Sequence, residues 1–360
     1  MEDLAPGTIA ALGGFAGGVG LGFAARWGRF CTLAAIEGKV LGGDSTGLRM
    51  WGLAIAVAII GTYALKQAGL IDISSTFYLT APPHWQASVA GGLTFGLGMA
   101  LVGTCGYGTL ARIGGGDLKS VVTFLVMGIT AYATIGGITA YLRLALFPSS
   151  SRLEKAASIA QSLKTHVGAS EHFWAYLFAI VLAVACLSSK GFRTQPKRIF
   201  TAVLVGGLIV WGWVATGIIA DNSFEPHPLE SFTFSTPLGQ TILYGMIMSG
   251  SELKFGIGAV LGVVTGAAIT SLFQGHFRWE AYDDAREMRR QILGGFMMGL
   301  GSVTALGCTI GQGISAASLL AWSAPITLVS IFAGAWLGLQ YLISGSVIEP
   351  MRQLFSSPPK

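Results

Sequence analysis

Residues 91–108 read Gly-Gly-Leu-Thr-Phe-Gly-Leu-Gly-Met-Ala-Leu-Val-Gly-Thr-Cys-Gly-Tyr-Gly. Residues 294–311 read Gly-Gly-Phe-Met-Met-Gly-Leu-Gly-Ser-Val-Thr-Ala-Leu-Gly-Cys-Thr-Ile-Gly. Aligned without a gap, Gly91, Gly92, Gly96, Leu97, Gly98, Cys105 and Gly108 fall on Gly294, Gly295, Gly299, Leu300, Gly301, Cys308 and Gly311. Chance matching in a chain with 52 glycines is the alternative explanation. It does not explain why the two cysteines coincide, or why the flanking apolar stretches fall into step at the same offset.

Working outward from these segments, apolar stretches at 7–25, 50–69, 120–142, 172–188, 198–220, 254–274 and 323–343 run near the length a helix needs to cross about 30 Å of hydrocarbon. Only 11% of the 360 residues are charged and 52% are hydrophobic, against about a quarter charged in an ordinary soluble domain. Mean hydropathy is +0.65. The short alternating segments of a membrane barrel are absent, so the fold class is an all-α polytopic membrane protein. The acidic start Met1-Glu-Asp-Leu has no basic n-region, and the first stretch is expected to be a retained span, not a cleaved leader. The excess of basic residues is explained by topology, so no nucleic-acid partner is expected.

The loops set an orientation. Residues 189–198 carry four basic residues and no acid, and 276–290 carry Arg278, Arg286, Arg289 and Arg290. Both should face the cytoplasm, while the acidic 221–228 loop should lie outside. Parity then requires that the apolar piece 236–249 does not cross, and it is expected to be a re-entrant half-helix. Adding 88–111 and 291–322 gives about nine crossings, with the N-terminus periplasmic and the C-terminus cytoplasmic. The transport domain spans 1–343: one repeat at about 7–142, a linking helix at 172–188, a second repeat at about 198–343, then a cytoplasmic tail at 344–360. A single linking crossing turns the second repeat upside down, an arrangement typical of transporters. The same offset, loosened by an indel, sets 30–42 opposite 236–249. Cys31 would then open a half-helix, with Phe234 or Ser235 as its counterpart.

The glycines divide into two kinds. Gly14, Gly18 and Gly22 lie on one helix face, a spacing that lets helices approach closely in lipid. The tails Gly103-Thr104-Cys105-Gly106 and Gly307-Cys308-Thr309 instead predict broken backbone at membrane depth. That is tolerated only where protein buries it or a polar cavity is lined. Free N–H groups there suit an anion. Of the four cysteines, Cys186 reads as a small hydrophobe. Cys105 and Cys308 occupy the repeated break, and Cys31 follows Arg29 at a span end. Thiols in apolar surroundings stay protonated. They are weak donors suited to a soft, sulfur-bearing substrate. No His or Lys base lies near them in the sequence, so no catalytic residue and no enzyme activity is expected. His84, His166, His172, His227 and His276 have no metal-ligand spacing. No cofactor and no metal is expected. Gln312 either adds an amide donor to the same cavity or is satisfied between helices.

These residues resemble the YeeE/YedE family of bacterial inner-membrane sulfur transporters. The carrying motifs are Gly-Arg-Phe-Cys31, Gly-Thr-Cys105-Gly-Tyr-Gly and Gly-Cys308-Thr-Ile-Gly-Gln312-Gly. The resemblance implies thiosulfate uptake through an hourglass-shaped protein, the anion passed by S–H···S hydrogen bonds along Cys31, Cys105 and Cys308, with Gln312 beside them. The family's acidic residue ahead of the second motif has no match in Thr80-Ala-Pro-Pro-His84. Some members are fused to, or work with, a small TusA-like sulfur-carrier protein. About 17 residues follow the last span here, so no fused carrier is expected; the resemblance leaves room for a separate one on the cytoplasmic side, beside thiosulfate and membrane lipid as partners. The alternatives are transport of another sulfur or selenium species, and a membrane sulfurtransferase that holds sulfur as a cysteine persulfide.

Overall fold

The computed structural model describes residues 6–81, 84–148, 158–219, 228–282 and 284–345. The acidic loop at 221–227 and the tail from 346 lie outside the described residues. In chain order the helices are α1 (Pro6–Trp27), α2 (Thr32–Gly42), α3 (Thr46–Gln67), α4 (Phe77–Thr80), α5 (Trp85–Val102), α6 (Gly106–Gly114), α7 (Leu118–Gly136) and α8 (Ile138–Leu146). Then come α9 (Ile159–Val167), α10 (Glu171–Leu187), α11 (Lys190–Arg193), α12 (Pro196–Val214), α13 (Thr236–Ile247), α14 (Phe255–Phe273), α15 (Ala285–Thr304) and α16 (Ser323–Ser344). A π-helical turn, Gly311–Ala316, lies between the last two. Among the described residues there is no β-strand, only two isolated bridges.

Seven segments are long and apolar enough to cross a membrane: Gly7–Gly42, Thr46–Gln67, Trp85–Gly114, Leu118–Gly136, Pro196–Ile218, Phe255–Phe273 and Ser323–Ser344. The chain is a multi-pass membrane protein. The count of nine requires two more. One is α10, apolar but only 17 residues long. The other is α15, whose first turns carry Arg286, Glu287, Arg289 and Arg290. Helix α13 has 12 residues, about 18 Å at 1.5 Å per residue, and so is too short to cross.

The expected span 120–142 ends early. Gly137 breaks it, and α8 continues with Ile138 and Tyr141 largely exposed. The polar 143–171 loop holds a helix of its own, α9. The Ser158 hydroxyl caps α9 by accepting from Gln161 N–H. Ile159 N–H bonds to the Leu320 carbonyl, which docks this loop on the start of α16.

Glycine decides how the helices meet. A Cβ on Gly18 would lie 2.5 Å from the Ala259 carbonyl oxygen, and one on Gly22 2.3 Å from that of Val263. Helices α1 and α14 therefore touch backbone to backbone. Gly96 against Ile331 does the same for α5 and α16, and Gly98 against Gly294 for α5 and α15. Helix α3 packs on α12, and α7 on α15. All these pairs join a helix from the first half of the chain to one from the second, so the halves interlace. Helix α10 packs outside against α3, where Lys66 Nζ donates to both Glu171 oxygens at 2.7 Å.

Candidate functional site

Each of Cys31, Cys105 and Cys308 follows a helix end and starts a short helical segment. Helix α1 stops at Trp27, Arg29 turns left-handed with φ +53°, and Cys31 is the extended N-cap of α2. Helix α5 stops at Val102, Gly103 has φ +82°, and Cys105 is the N-cap of α6. Helix α15 stops at Thr304, Leu306 has φ +61°, and Cys308 leads into the π-helical turn. The left-handed residue stands two places before the cysteine each time. Gly103 adopts this conformation freely, whereas Arg29 and Leu306 carry a cost of about 1–2 kcal/mol each. The surrounding bonds hold these turns.

At the second break, Arg112 Nη2 donates to the Gly103 carbonyl at 2.7 Å. Arg26 donates to the carbonyls of Ala111 and Arg112 at 3.0 and 3.3 Å. These two arginines close off exposed helix-end carbonyls. At the third break the buried Gln312 holds the turn. Its Nε2 donates to the carbonyls of Ala305 at 3.1 Å and Leu306 at 3.2 Å, and its Oε1 accepts from Ser323 Oγ at 3.1 Å. Of the two readings open for Gln312, the structure places its amide donors on the backbone turn ahead of Cys308, not in a cavity.

The three cysteines fall in one region. Thr32 Oγ1 is 3.9 Å from Cys105 Sγ, which brings the starts of α2 and α6 together. Gly106 faces Phe234, whose carbonyl oxygen would lie 2.9 Å from a Cβ on that glycine. The Phe234 ring stacks at 5.5 Å on Tyr107, whose hydroxyl donates to the Leu21 carbonyl at 2.6 Å. On the other side of Phe234, its N–H donates to Cys308 Sγ at 3.2 Å, and Gly311 N–H donates to the same sulfur at 3.5 Å. The Cys308 sulfur accepts both bonds. Cys105 and Cys308 are buried, and Cys31 is half-buried. Cys186 lies apart, against Gly52.

Around Cys31 opens a cavity of about 570 Å³, lined among others by Arg26, Arg29, Thr104, Arg112, Lys197 and His276, with no acidic residue on its wall. Gly307 has φ +157° and sits 3.0 Å, measured from an added Cβ, from Gln312 Cγ. The Thr309 hydroxyl is buried with no hydrogen-bond partner among the described residues. No group of three or more His, Cys, Asp or Glu that could hold a metal is present among the described residues.

Thr233 reaches Cys308, and two more hydroxyls sit beside it. Thr233 Oγ1 is 3.9 Å from Cys308 Sγ and 3.3 Å from Ser235 Oγ. The Tyr78 hydroxyl lies beside Thr233 at Gly311. The sequence offers no sign of Tyr78, because its neighbours come from the far half of the chain. Glu230 leads into this segment, its backbone clamped at both N–H and C=O by Thr216 Oγ1. Burial pushes the Glu230 carboxyl up to about 7, partly opposed by Lys254.

The sulphur-transport family model matches residues 27–337. Among relatives, the thiosulfate transporter TsuA of Escherichia coli is 27% identical over 361 residues, covering 90% of this chain and 92% of its own length. The TsuA of Spirochaeta thermophila is 24% identical over 324 residues, covering 88% of this chain and 94% of its own. With its thiol-bearing helix breaks inside an interlaced helical bundle, and a family match across most of its length, this chain belongs to the sulphur-transport family.

Proposed function

We propose that this protein carries thiosulfate across the bacterial inner membrane, with its N-terminus periplasmic and its C-terminus cytoplasmic, and that Cys308, Cys105 and Cys31 form the path. The names of the two relatives support the substrate. The observation that carries the path is the run of contacts from Cys31 and Thr32 to Cys105, through Phe234, to Cys308. Serial weak thiol donors suit conduction, which needs binding that is repeated and never deep. The basic cavity at Cys31 suits a cytoplasmic end, by the same charge bias that orients the loops. Repeats at about 7–142 and 198–343, one inverted about helix 172–188, would place Cys105 and Cys308 on either side of the midplane. Thr104, Gly106, Gly307, Thr309 and Arg29 frame the thiols. Gln312 acts by holding the turn before Cys308. A separate TusA-like carrier would take the sulfur on the cytoplasmic side.

The test is uptake of 35S-thiosulfate by cells carrying the wild type, each Cys→Ala variant, and the Cys105→Ala/Cys308→Ala double variant. The double variant should lose uptake. Full uptake would sink the relay. A sulfur adduct trapped on one cysteine and seen by mass spectrometry would favour the sulfurtransferase reading instead.

A further inference from the structure

The two re-entrant half-helices start alike. Arg29-Phe30-Cys31-Thr32 opens α2, and Thr233-Phe234-Ser235-Thr236 opens α13, with Cys31 and Ser235 as the N-caps. Each start meets the thiol of its own half of the chain: Thr32 meets Cys105, while Thr233 and Phe234 meet Cys308. In this register Ser235 answers to Cys31, and Thr233 to Arg29. One end of the path offers a second thiol and a cation. The other offers hydroxyls.

Those hydroxyls converge. Ser235 is buried and Thr233 half-buried, with their oxygens 3.3 Å apart. Tyr78 comes from α4, on the opposite half of the chain. A Cβ on Gly311 would lie 2.4 Å from Thr233 Oγ1 and 3.0 Å from the Tyr78 hydroxyl, so only glycine lets these two hydroxyls come so close to the backbone beside the sulfur. The Cys308 thiol borders the same hydroxyls, 3.9 Å from Thr233 Oγ1.

We infer that Ser235, with Thr233 and Tyr78, is a contact residue that completes a mixed thiol–hydroxyl station at Cys308. This station selects an anion carrying both a terminal sulfur and oxygens. The terminal sulfur takes the Cys308 S–H, and the oxygens take the hydroxyls, which are stronger donors than thiols. A site built to pair a substrate's polar groups rejects analogues that leave its own groups unpaired. The inference rests on the transport reading and adds to it the residues that read the oxygen end.

The experiment is the concentration dependence of 35S-thiosulfate uptake in whole cells expressing the full chain, with membrane levels measured for each variant. Ser235→Ala should raise KM about tenfold, the effect of losing about 1.4 kcal/mol of hydrogen bonding to a charged group, at nearly unchanged maximal rate per molecule. Ser235→Cys should recover only part of that loss. Tyr78→Phe removes one oxygen and should raise KM in the same direction, which keeps the test open should Ser235→Ala fail to fold. A merely structural role would lower the amount of protein or the maximal rate and leave KM in place. Unchanged KM in Ser235→Ala, or in Tyr78→Phe where Ser235→Ala is not made, overturns the inference. Absence of uptake by the wild type would instead overturn the transport reading.

Discussion

Gly96→Ala tests whether backbone contact between helices holds this protein together. The added methyl would lie 2.2 Å from the Ile331 carbonyl oxygen, 2.6 Å from Ala335 N and 3.0 Å from Gly334 C. None of these is a flexible side chain. Relief to an ordinary contact of about 3.5 Å requires α16 to retreat by roughly 1 Å. The same retreat opens the neighbouring contacts of Gly92 with Thr327 and of Gly334 with Leu93. Overpacking of this kind costs about 2–3 kcal/mol. Replacing a helical glycine by alanine returns up to about 1 kcal/mol of helix propensity. The clash wins, and the net loss is about 1–2 kcal/mol. Thermal unfolding in detergent, followed by tryptophan fluorescence, should show Tm lower by about 2–4 °C. Gly207→Ala is the control. No atom lies within 4 Å of its added Cβ, so only the propensity gain remains and Tm should hold or rise. A Gly96→Ala protein that melts at or above the wild type would refute the reasoning.

Gln312→Leu keeps the bulk of the side chain but strips the donors from the Ala305 and Leu306 carbonyls, at about 1–3 kcal/mol for each buried group left unpaired. The turn should loosen, and maleimide labelling of Cys308, read on its peptide by mass spectrometry, should quicken; an unchanged rate would show that the amide does not hold the turn. Glu230→Gln addresses pH. The folded carboxyl binds its proton near pH 7, well above an unfolded glutamate at about 4.3. The folded state is therefore favoured fully below about pH 4 and loses that advantage as pH rises towards 7. The Tm of the variant relative to wild type should climb between pH 5 and 8, and parallel curves would contradict this.

The fold class was legible because lipid leaves a coarse signature: long apolar stretches, few charges and glycines spaced four apart. Helix α13 was legible from parity alone, since loop charge left it no way to cross. The end of α7 at Gly136 was not, because the apolar run continues through Ile138 and Leu142 and only the geometry at Gly137 interrupts it. At the candidate site, Cys105 and Cys308 stand out through the repeat. The converging residues Tyr78, Thr233 and Ser235 do not, because 155 residues of chain separate Tyr78 from Thr233. Arg112 and Gln312 show a further limit. Residue type and position signal a polar role, but whether the donors face a cavity or a nearby carbonyl depends on the backbone path two residues before each cysteine.

The interlacing of the two halves governs how such a bundle can move. Rotating one half against the other would part the backbones of α1 from α14 and of α5 from both α16 and α15 in a single step. Each of these contacts has a glycine at its centre, with no room for a side chain. These contacts therefore oppose rocking of the two halves as rigid lobes. Helix α13 is held in the same way, backbone to backbone on α7 through Gly128 and Gly239, and Gly47 of α3 sits against Ala35 of α2, so the elements left to yield are the turn after Cys308 and the aromatic pair Tyr107 and Phe234 between the buried thiols. If the proposed path runs past these thiols, its gating would fall to ring and turn movements a few ångströms across, and turnover would follow the mobility of two aromatic side chains.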